Sequence, residues 1–275
     1  MTLRAVSLGV AVVLAACGGQ EMAAFSYSGV TAERPTGSEW ISEDGLVAAY
    51  DMTTLTESGL LRDFGPNGLH GSFPGDEDGN TSGGQGPGPV SGARIFRTTA
   101  DRIDLPEDPA FDLDGPLTVA AWMLVDSLGL HQHVVACDDK WALWVLPTNR
   151  YRLGDTQGGG WSSDERAVSK GAWASVVTVL RGTKGELLDP STAALYVNGE
   201  LTDAAAHLRS DEARELGSWN SGDLFPSDAC FIGFESHQGN TVHQTMPFVG
   251  EIDEILVFSR AWTEAEVQTF SRPTR

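Results

Sequence analysis

Short apolar runs, each about as long as one β-strand, recur from residue 46 to residue 258, with turn-forming residues between them. Gly, Asn, Asp and Pro separate the runs, and these residues favour turns over continued strands. Segments with helical periodicity are scarce, so the pattern predicts an all-β sandwich or barrel. The predicted strands are Leu46–Asp51, Ala93–Phe96, Arg102–Leu105, Leu117–Val125, His133–Cys137, Trp141–Leu146, Ala174–Arg181, Ala193–Val197, Cys230–Phe234 and Gly250–Phe258.

Local signals mark the ends of some of these elements. Asn198 and Gly199 follow an apolar run and predict a two-residue hairpin turn, because both turn positions require a positive φ angle. Thr263 and Glu266 have the spacing of a capping box, in which each side chain accepts a hydrogen bond from the other's backbone amide. We therefore predict a short helix over Thr263–Phe270, and a second one in part of Asp203–Leu216.

Several motifs occur in a fixed order through the predicted domain: Gly45–Asp51, Asp63–Gly71, Asp101–Pro106, Leu117–Trp122, Gly171–Trp173, Leu195–Gly199 and the closing Gly250–Val267. Together they resemble the laminin-G-like, concanavalin A-like jelly rolls of secreted bacterial proteins. The resemblance implies a two-sheet antiparallel β-sandwich of the concanavalin A-like jelly-roll type, with a short C-terminal helix. It also implies a binding module in preference to an enzyme.

The N-terminus has the pattern of a bacterial lipoprotein signal. Arg4 precedes an apolar run, Ala5–Ala16, which is too short to span a bilayer as a mature helix. Leu-Ala-Ala before Cys17 forms a lipobox, whose cysteine is acylated after cleavage. An ordinary secretory signal that happens to hold a cysteine is the alternative. We expect a signal peptide over residues 1–16 and a lipid on Cys17 that anchors the protein in the cell envelope, at the outer membrane or cell surface.

Composition divides the remainder into two parts. Residues 17–44 are dominated by Gly, Ser, Thr, Glu and Pro, which predicts a flexible tether, and residues 45–272 have the length of one domain. The formal net charge of −20 argues against nucleic acid as a partner, and against docking on anionic lipid through a basic face. The membrane contact that we expect is therefore the N-terminal lipid.

Two cysteines, Cys137 and Cys230, remain once Cys17 is assigned to the lipobox. Both stand at the ends of strand-like runs, and an even remainder in an exported protein suggests a disulfide. Two separate buried thiols are the alternative, because the sequence does not show whether the two strands are neighbours.

Jelly rolls of the kind that the sequence resembles often hold a structural calcium ion where the first and last strands meet. For this chain the resemblance implies Asp51, Asp63 and Asp253 as oxygen ligands. Carboxylates in apolar strands need a partner to offset lost hydration. The alternatives to calcium are hydrogen bonds from loop amides, or ion pairs with Arg62 or Arg260.

Tryptophans in polar segments are the candidate ligand contacts. Trp161 follows a run of glycines, and Trp219 stands beside Asn220, so we predict exposed loop indoles that pack on a sugar ring while the Asn bonds hydroxyls. The alternative is that each indole folds back over the core. The tryptophans in strand-like runs are predicted to lie in the core: Trp122, Trp141, Trp144 and Trp173.

Catalytic patterns are weak in this sequence. Some glycosidases with this fold use E-x-D-x-E on one strand, but the fifth residue of Glu251–Ile255 is isoleucine, which alternation places on the face of Glu251. His131 and His133 share a strand face, and no third ligand at zinc spacing is evident.

We therefore predict a non-enzymatic, lipid-anchored binding module that recognises carbohydrate or a surface protein. The alternatives are a glycoside hydrolase or lyase on the same scaffold, which would need two facing carboxylates, and a structural adhesion module without a ligand pocket.

Overall fold

A computed structural model of the protein describes residues 44–74, 92–98, 100–113, 115–137, 141–154, 160–162, 168–183, 186, 189–202, 205–207, 230–234 and 247–272. The chain divides into two units, Met1–Arg34 and Pro35–Arg275, and every described residue belongs to the second unit. The described part forms two antiparallel sheets and one short α-helix, which confirms the predicted all-β sandwich.

Sheet A contains both the first and the last strand of the described chain. Its strands are β1 (Leu46–Tyr50), β2 (Arg94–Phe96), β4 (Leu117–Val125), β9 (Trp173–Leu180), β10 (Ala193–Val197), β11 (Glu200–Leu201) and β14 (Gly250–Phe258). The neighbour order is β1, β14, β4, β9, β10, β11, and β2 also pairs with β14. Strand β14, the last in the sequence, therefore lies between the first strand, β1, and the central strand β4.

Sheet B is built from the middle of the chain. Its strands are β3 (Ile103–Leu105), β5 (Gln132–Cys137), β6 (Trp141–Val145), β7 (Tyr151–Gly154), β8 (Gly160–Ser162), β12 (Ala205–His207) and β13 (Cys230–Ile232). The neighbour order is β12, β8, β7, β6, β5, β13, β3. Strands β5 to β8 are consecutive hairpin partners, whereas β13 and β3 come from distant parts of the sequence.

The main core lies between the two sheets, because every second side chain of each strand points inward. Burial of each large aliphatic side chain contributes about 1.5–3 kcal/mol relative to exposure. Fully buried members of this core include Val119, Ala121 and Met123 of sheet A and Val135, Leu143 and Val145 of sheet B.

Helix α1 (Glu264–Phe270) covers part of the outward face of sheet A. Val267 and Phe270 are fully buried in a second cluster, which also contains Trp122. The indole nitrogen of Trp122 donates to the carbonyl of Phe270 at 3.2 Å. Trp122 is thus buried as predicted, in the cluster beneath the helix. No helix of the described residues is long and apolar enough to cross a membrane.

The capping box of α1 is present as predicted. Thr263 Oγ1 accepts from the amide of Glu266 at 3.3 Å, and Glu266 Oε2 accepts from the amide of Thr263 at 2.8 Å. Arg260 donates to both carboxylate oxygens of Glu266, at 3.1 and 2.6 Å. Hydrogen bonds from Arg260 lower the pKa of Glu266 below its usual 4.5, against an opposing effect of partial burial.

A disulfide joins Cys137 to Cys230, the alternative that the even cysteine count favoured. The two residues are direct cross-strand partners of β5 and β13, 93 residues apart in sequence. The bond therefore holds a strand from the middle of the domain against one that arrives much later in the chain.

Of the remaining predictions, the turn set by neighbouring residues is confirmed, whereas elements that depend on pairing with distant strands were predicted wrongly or missed. Asn198 and Gly199 form the predicted turn between β10 and β11, with φ angles of 53° and 77°. The helix predicted within Asp203–Leu216 is wrong in its described part, because Ala205–His207 forms β12 and pairs with β8. Strands β7 and β8 were not predicted, because their arginine and glycine residues interrupt the alternation of apolar and polar side chains that marks a strand. Backbone pairing with neighbouring strands stabilises them instead.

We expect the double substitution Cys137→Ala and Cys230→Ala to lower the free energy of unfolding by about 4 kcal/mol, because the bridge closes a long loop in the unfolded chain. Chemical denaturation under oxidising conditions measures the difference. Reductant should destabilise the unsubstituted protein and leave the double variant unchanged; equal stability of the two proteins without reductant would contradict the assignment.

We expect Glu266→Gln to lower stability at pH 7 by about 0.5–1 kcal/mol, since glutamine keeps the capping geometry but loses the charge facing Arg260. The pKa of Glu266 is lowered in the folded state, so this contribution is present above pH 4.5 and disappears as the pH falls through the folded pKa. Unfolding curves of both proteins between pH 7 and pH 3 should therefore converge. A gap that stays constant over this range would exclude the charge as its cause.

Candidate functional site

The outward face of sheet B carries large side chains that lie outside the main core. Trp141 and Trp144 are three residues apart on β6, so they lie on opposite faces of the strand. Trp141 belongs to the main core, and Trp144 to a separate small cluster with Ala136 and Ala142. The prediction that both indoles are core residues is confirmed, at 1% and 4% exposed, but Trp144 is buried on the outward side of the sheet. Their odd spacing was the signal that could have separated them.

Four side chains form an aromatic and basic cluster on this face. The ring centroids of His131 and His133 lie 4.8 and 5.0 Å from that of Trp144, and the two imidazoles stack on each other at 5.4 Å. The Cζ atom of Arg152 lies 5.0 Å from the indole centroid. The prediction that the two histidines share a face is confirmed, and an indole and a guanidinium complete their group.

A β-bulge places His133 in this cluster. The register between β5 and β6 shifts between His133 and Val135. Val134 and Val135 both belong to the main core, although neighbouring strand residues normally face opposite ways. The bulge absorbs this irregularity, so His133 faces outward directly opposite Trp144.

The indole N–H of Trp144 is an unpaired hydrogen-bond donor. Its Nε1 atom is buried and has no acceptor among the described residues. Trp141 is different, because its Nε1 donates to the carbonyl of Phe111 at 3.2 Å. A buried polar group without a partner costs about 1–3 kcal/mol, so the site retains a donor that costs stability. A ligand with an acceptor at this position would recover that energy.

Strand register orders the outward face into rows across the sheet. His133, Trp144 and Arg152 are successive cross-strand partners, and we call them the donor row. Ala136, Ala142, Gly154 and Gly160 form the next row in the same way, here called the small-residue row. None of these four residues has a side chain larger than a methyl group, whereas the donor row beside them carries three large side chains.

The cluster is most exposed at one end. The donor row and the alanines of the small-residue row are buried, whereas His131, Leu146 and Arg150 are half-buried. Leu128 and Leu130, just before β5, are 38% and 45% exposed. The residues just before β5 and between β6 and β7 are thus more exposed than the donor row.

A carboxylate lies at the opposite end of the face. Asp104 of β3 is in register with Phe231 of β13, which in turn is in register with Ala136. Loss of hydration raises the pKa of Asp104 above 3.8, and Arg102, whose Nε lies 2.9 Å from Oδ1, opposes this shift. Four strand spacings, about 19 Å, separate β3 from β7, which carries Arg152.

The structure corrects the predicted loop position of one ligand candidate, Trp161, whose role in binding stays a prediction. Trp161 is not in a loop but in β8, where it is in register with Leu153, a core residue. A polar, glycine-rich sequence suggested a loop there, but pairing with β7 and β12 satisfies the backbone on both sides. Trp219 and Asn220 lie outside the described residues, as does Cys17, so their roles stay predictions.

Asp63 makes hydrogen bonds with loop amides, as one of the alternatives from the sequence proposed. Its Oδ1 accepts from the amides of Ala49 and Gly65 at 2.8 and 2.7 Å, and its Oδ2 accepts from the amide of Leu69 at 2.8 Å. This buried carboxylate connects the loop after β1 to the strand itself.

The other two predicted calcium ligands lie elsewhere along strands β1 and β14. Asp51 accepts from the amides of Thr53 and Thr54, at 3.0 and 2.8 Å, and Asp253 accepts from the amide of Glu254 at 2.9 Å. The described residues hold no group of three acidic, histidine or cysteine side chains placed to bind a metal. Calcium at Asp51, Asp63 and Asp253 stays a prediction from the resemblance.

A second bulge rearranges the acidic segment of β14. Glu254 has a φ angle of 49°, and the register with β4 shifts between Asp253 and Leu256. Ile252 and Ile255 both lie in the main core, so the prediction that Ile255 shares the face of Glu251 is wrong. Loss of hydration and the nearby Asp126 raise the pKa of Glu251 above 4.5, against the effect of Arg97.

Sequence comparison identifies the family. The model Laminin_G_3, described as the concanavalin A-like lectin/glucanases superfamily, matches residues 97–268. This chain belongs to that family, since the match covers more than half of its length. None of the curated proteins compared with the sequence is a significant match.

Solved structures with the same fold include binding domains of larger proteins. Domain 4 of an extracellular GH43 arabinanase from Geobacillus stearothermophilus, in complex with arabinotriose, has a TM-score of 0.50 at 16% identity, over 82% of this chain and 98% of that one. The ligand binding domain of botulinum neurotoxin serotype D, in complex with N-acetylneuraminic acid, has a TM-score of 0.53 at 11% identity, over 83% and 51%.

An enzyme also shares the fold. Trypanosoma rangeli sialidase has a TM-score of 0.50 at 12% identity, over 82% of this chain and 32% of that chain. The chain therefore spans about half, or less, of the neurotoxin and sialidase structures. At these identities the likeness shows the shared fold alone.

The stability losses on replacing each tryptophan of β6 should show which indole N–H is hydrogen-bonded and which is not. Trp141→Phe and Trp144→Phe remove similar volumes, but only the first breaks a hydrogen bond among the described residues. We expect Trp141→Phe to destabilise the protein by about 1 kcal/mol more than Trp144→Phe. Denaturant unfolding of the two variants gives the difference. A larger loss for Trp144→Phe would mean that its N–H already has a partner.

Proposed function

We propose that this domain is a carbohydrate-binding module, and that its ligand site is the outward face of sheet B around the donor row. The observation that carries the proposal is the cluster of His131, His133, Trp144 and Arg152, in which indole, imidazole and guanidinium groups meet outside the main core. Aromatic rings beside side-chain hydrogen-bond donors suit a saccharide, whose faces are apolar and whose edges carry oxygens.

The architecture supports this location. Helix α1 and the residues before it cover part of the outward face of sheet A, where Trp122 and Phe270 pack together at a centroid distance of 6.2 Å. On sheet B the small-residue row, which carries no side chain larger than a methyl group, lies beside the donor row. The proteins of similar fold include two domains whose structures contain a sugar ligand, arabinotriose or N-acetylneuraminic acid.

Binding without hydrolysis is the function that these residues favour. Glycoside hydrolysis uses two carboxyl groups on either side of the scissile bond, about 5–10 Å apart. Among the described strand residues of the outward face of sheet B, Asp104 is the carboxylate, and it pairs with Arg102. The donors of the site can orient a sugar but offer no nucleophile beside it. Attachment to the cell envelope through Cys17 and a structural calcium ion belong to the proposal on the strength of the sequence alone.

A glycan array that holds neutral and acidic saccharides, run with calcium and with chelator, tests the proposal. We expect specific binding, and we expect Trp144→Phe and His131→Ala each to weaken the affinity of the best ligand at least about fivefold by titration calorimetry, because each removes a donor at the site. The matched control is Trp173→Phe, since the indole nitrogen of Trp173 is also buried without an acceptor but lies on sheet A.

Circular dichroism and thermal unfolding establish that each variant is folded before its affinity is compared. An array without any bound glycan, from folded protein in both conditions, would overturn carbohydrate binding. Equal losses for the Trp144 and Trp173 variants would place the site elsewhere on the domain.

A further inference from the structure

We infer that Arg102 and Asp104 form a second sugar subsite on the outward face of sheet B, which binds neighbouring hydroxyl groups of a neutral oligosaccharide. The inference rests on the proposed function and deepens it, because it states the class of ligand: an uncharged sugar chain long enough to contact the donor row and this pair together. We call Arg102 and Asp104 the ion-pair subsite.

Both side chains of the ion-pair subsite lie on the outward face of sheet B. Ile103 and Leu105 of β3 belong to the main core, so alternation turns Asp104, between them, outward. The Nε atom of Arg102 lies 2.9 Å from Asp104 Oδ1, and its Nη2 donates to Asp104 Oδ2 at 3.4 Å. The two side chains are 32% and 28% exposed, so a ligand on this face can reach both.

Two phenylalanine rings hold the guanidinium of Arg102 in place. Its Cζ atom lies 5.1 Å from the ring centroid of Phe234 and 5.9 Å from that of Phe231. The two rings pack edge to face at 5.8 Å, and both phenylalanines are buried. They therefore position the arginine and leave the sugar contacts to the charged pair. A side chain that is fixed before binding loses less conformational freedom when a ligand arrives.

The ion-pair subsite offers hydrogen-bond donors and acceptors side by side. An arginine guanidinium only donates, and an ionised carboxylate only accepts. A sugar hydroxyl does both, so two neighbouring hydroxyls of one sugar match the pair. An anionic sugar would be repelled by Asp104 and a cationic amino sugar by Arg102, because like charges at short range are unfavourable. The pair therefore selects an uncharged sugar.

Partial burial strengthens the hydrogen bonds that this pair can make. Loss of hydration raises the pKa of Asp104 above 3.8 in spite of the neighbouring Arg102, so the carboxylate is partly withdrawn from water. A hydrogen bond is electrostatically stronger in such surroundings than in water. A half-exposed ion pair by itself contributes little to folding stability. Stability alone therefore does not account for the pair.

The position of the ion-pair subsite sets the minimum extent of the ligand. Strand β3, which carries Asp104, is the third strand from β6, which carries Trp144, in the order β6, β5, β13, β3. Three strand spacings amount to about 14 Å. A single sugar does not reach across this distance, whereas a chain of several sugars does. The ligand that uses both subsites is therefore an oligosaccharide.

The first arm of the experiment changes the length of the ligand and leaves the protein intact. Linear manno-, cello- and malto-oligosaccharides, from the monosaccharide to the hexasaccharide, are titrated against the protein by calorimetry. In the series that binds, we expect the affinity to rise at least about tenfold from disaccharide to hexasaccharide, because only the longer chain gains hydrogen bonds to the charged pair. Equal affinity along that series would overturn the inference, and so would the absence of binding by every neutral series.

The second arm assigns this gain to the ion-pair subsite. Arg102→Gln and Asp104→Asn each remove one charge and keep an amide in its place. Each should weaken binding of the hexasaccharide at least about fivefold, because a hydrogen bond to a charged group is lost. Binding of the disaccharide should be unchanged, since it does not reach from the donor row to the pair.

Arg260→Gln is the matched control for Arg102→Gln. Arg260 also pairs with a carboxylate, that of Glu266, and its Cζ atom also lies 5.1 Å from a phenylalanine centroid, that of Phe258. This second pair lies beside helix α1 and not on sheet B. Its substitution should leave the affinity for every oligosaccharide unchanged. Equal losses for the two arginine variants would overturn the assignment to Arg102.

The outcomes distinguish this inference from the proposed function. Glycan binding that is lost in Trp144→Phe, but depends neither on chain length nor on Arg102, would preserve the proposed function and overturn the inference. The comparison of chain lengths decides even if Arg102→Gln fails to fold, since it needs no variant. No binding of any saccharide would overturn both.

Discussion

The structure depends on the alternation of side chains along strands β6 and β7, and on the same alternation in β5 on either side of its bulge. Each strand must bury one row between the two sheets, and in doing so it commits the alternate row to the outward face. Leu143 and Val145 therefore fix where Trp144 lies, and Leu153 does the same for Arg152. A shift of one residue in this register would move the indole and the guanidinium into the apolar core, where neither could be accommodated without large cost.

The two sheets differ in what lies on their outward faces, and this difference locates the candidate site. On sheet A, Trp262, Val267 and Phe270 provide an apolar layer, and the indole of Trp122 finds an acceptor in the carbonyl of Phe270. On sheet B the outward indole has no such acceptor among the described residues. Trp122 is thus satisfied internally, whereas Trp144 on sheet B and Trp173 on sheet A each keep a buried indole nitrogen without an acceptor among the described residues. What distinguishes the outward face of sheet B is the group of two imidazoles and a guanidinium around Trp144.

Two β-bulges, one in β5 and one in β14, determine which side chains of these strands face outward. The bulge between His133 and Val135 keeps the imidazole outward beside Trp144 while two consecutive valines enter the core. The bulge at Glu254 turns Ile255 of β14 inward, so that Ile252 and Ile255 both lie in the main core although they are three residues apart. Both bulges are backbone features that side-chain alternation by itself does not reveal.

The sequence by itself determined the elements whose interactions are local. The hairpin at Asn198–Gly199, the capping box of Thr263 and Glu266 and the apolar strands β4, β10 and β14 follow from residues close together in the chain, and motif order indicated the jelly roll. Tertiary structure decided the rest. The Cys137–Cys230 bond, the strand state of Ala205–His207 and the site around Trp144 depend on which distant strands become neighbours, and backbone pairing between strands carries no signature in the residues of either strand alone.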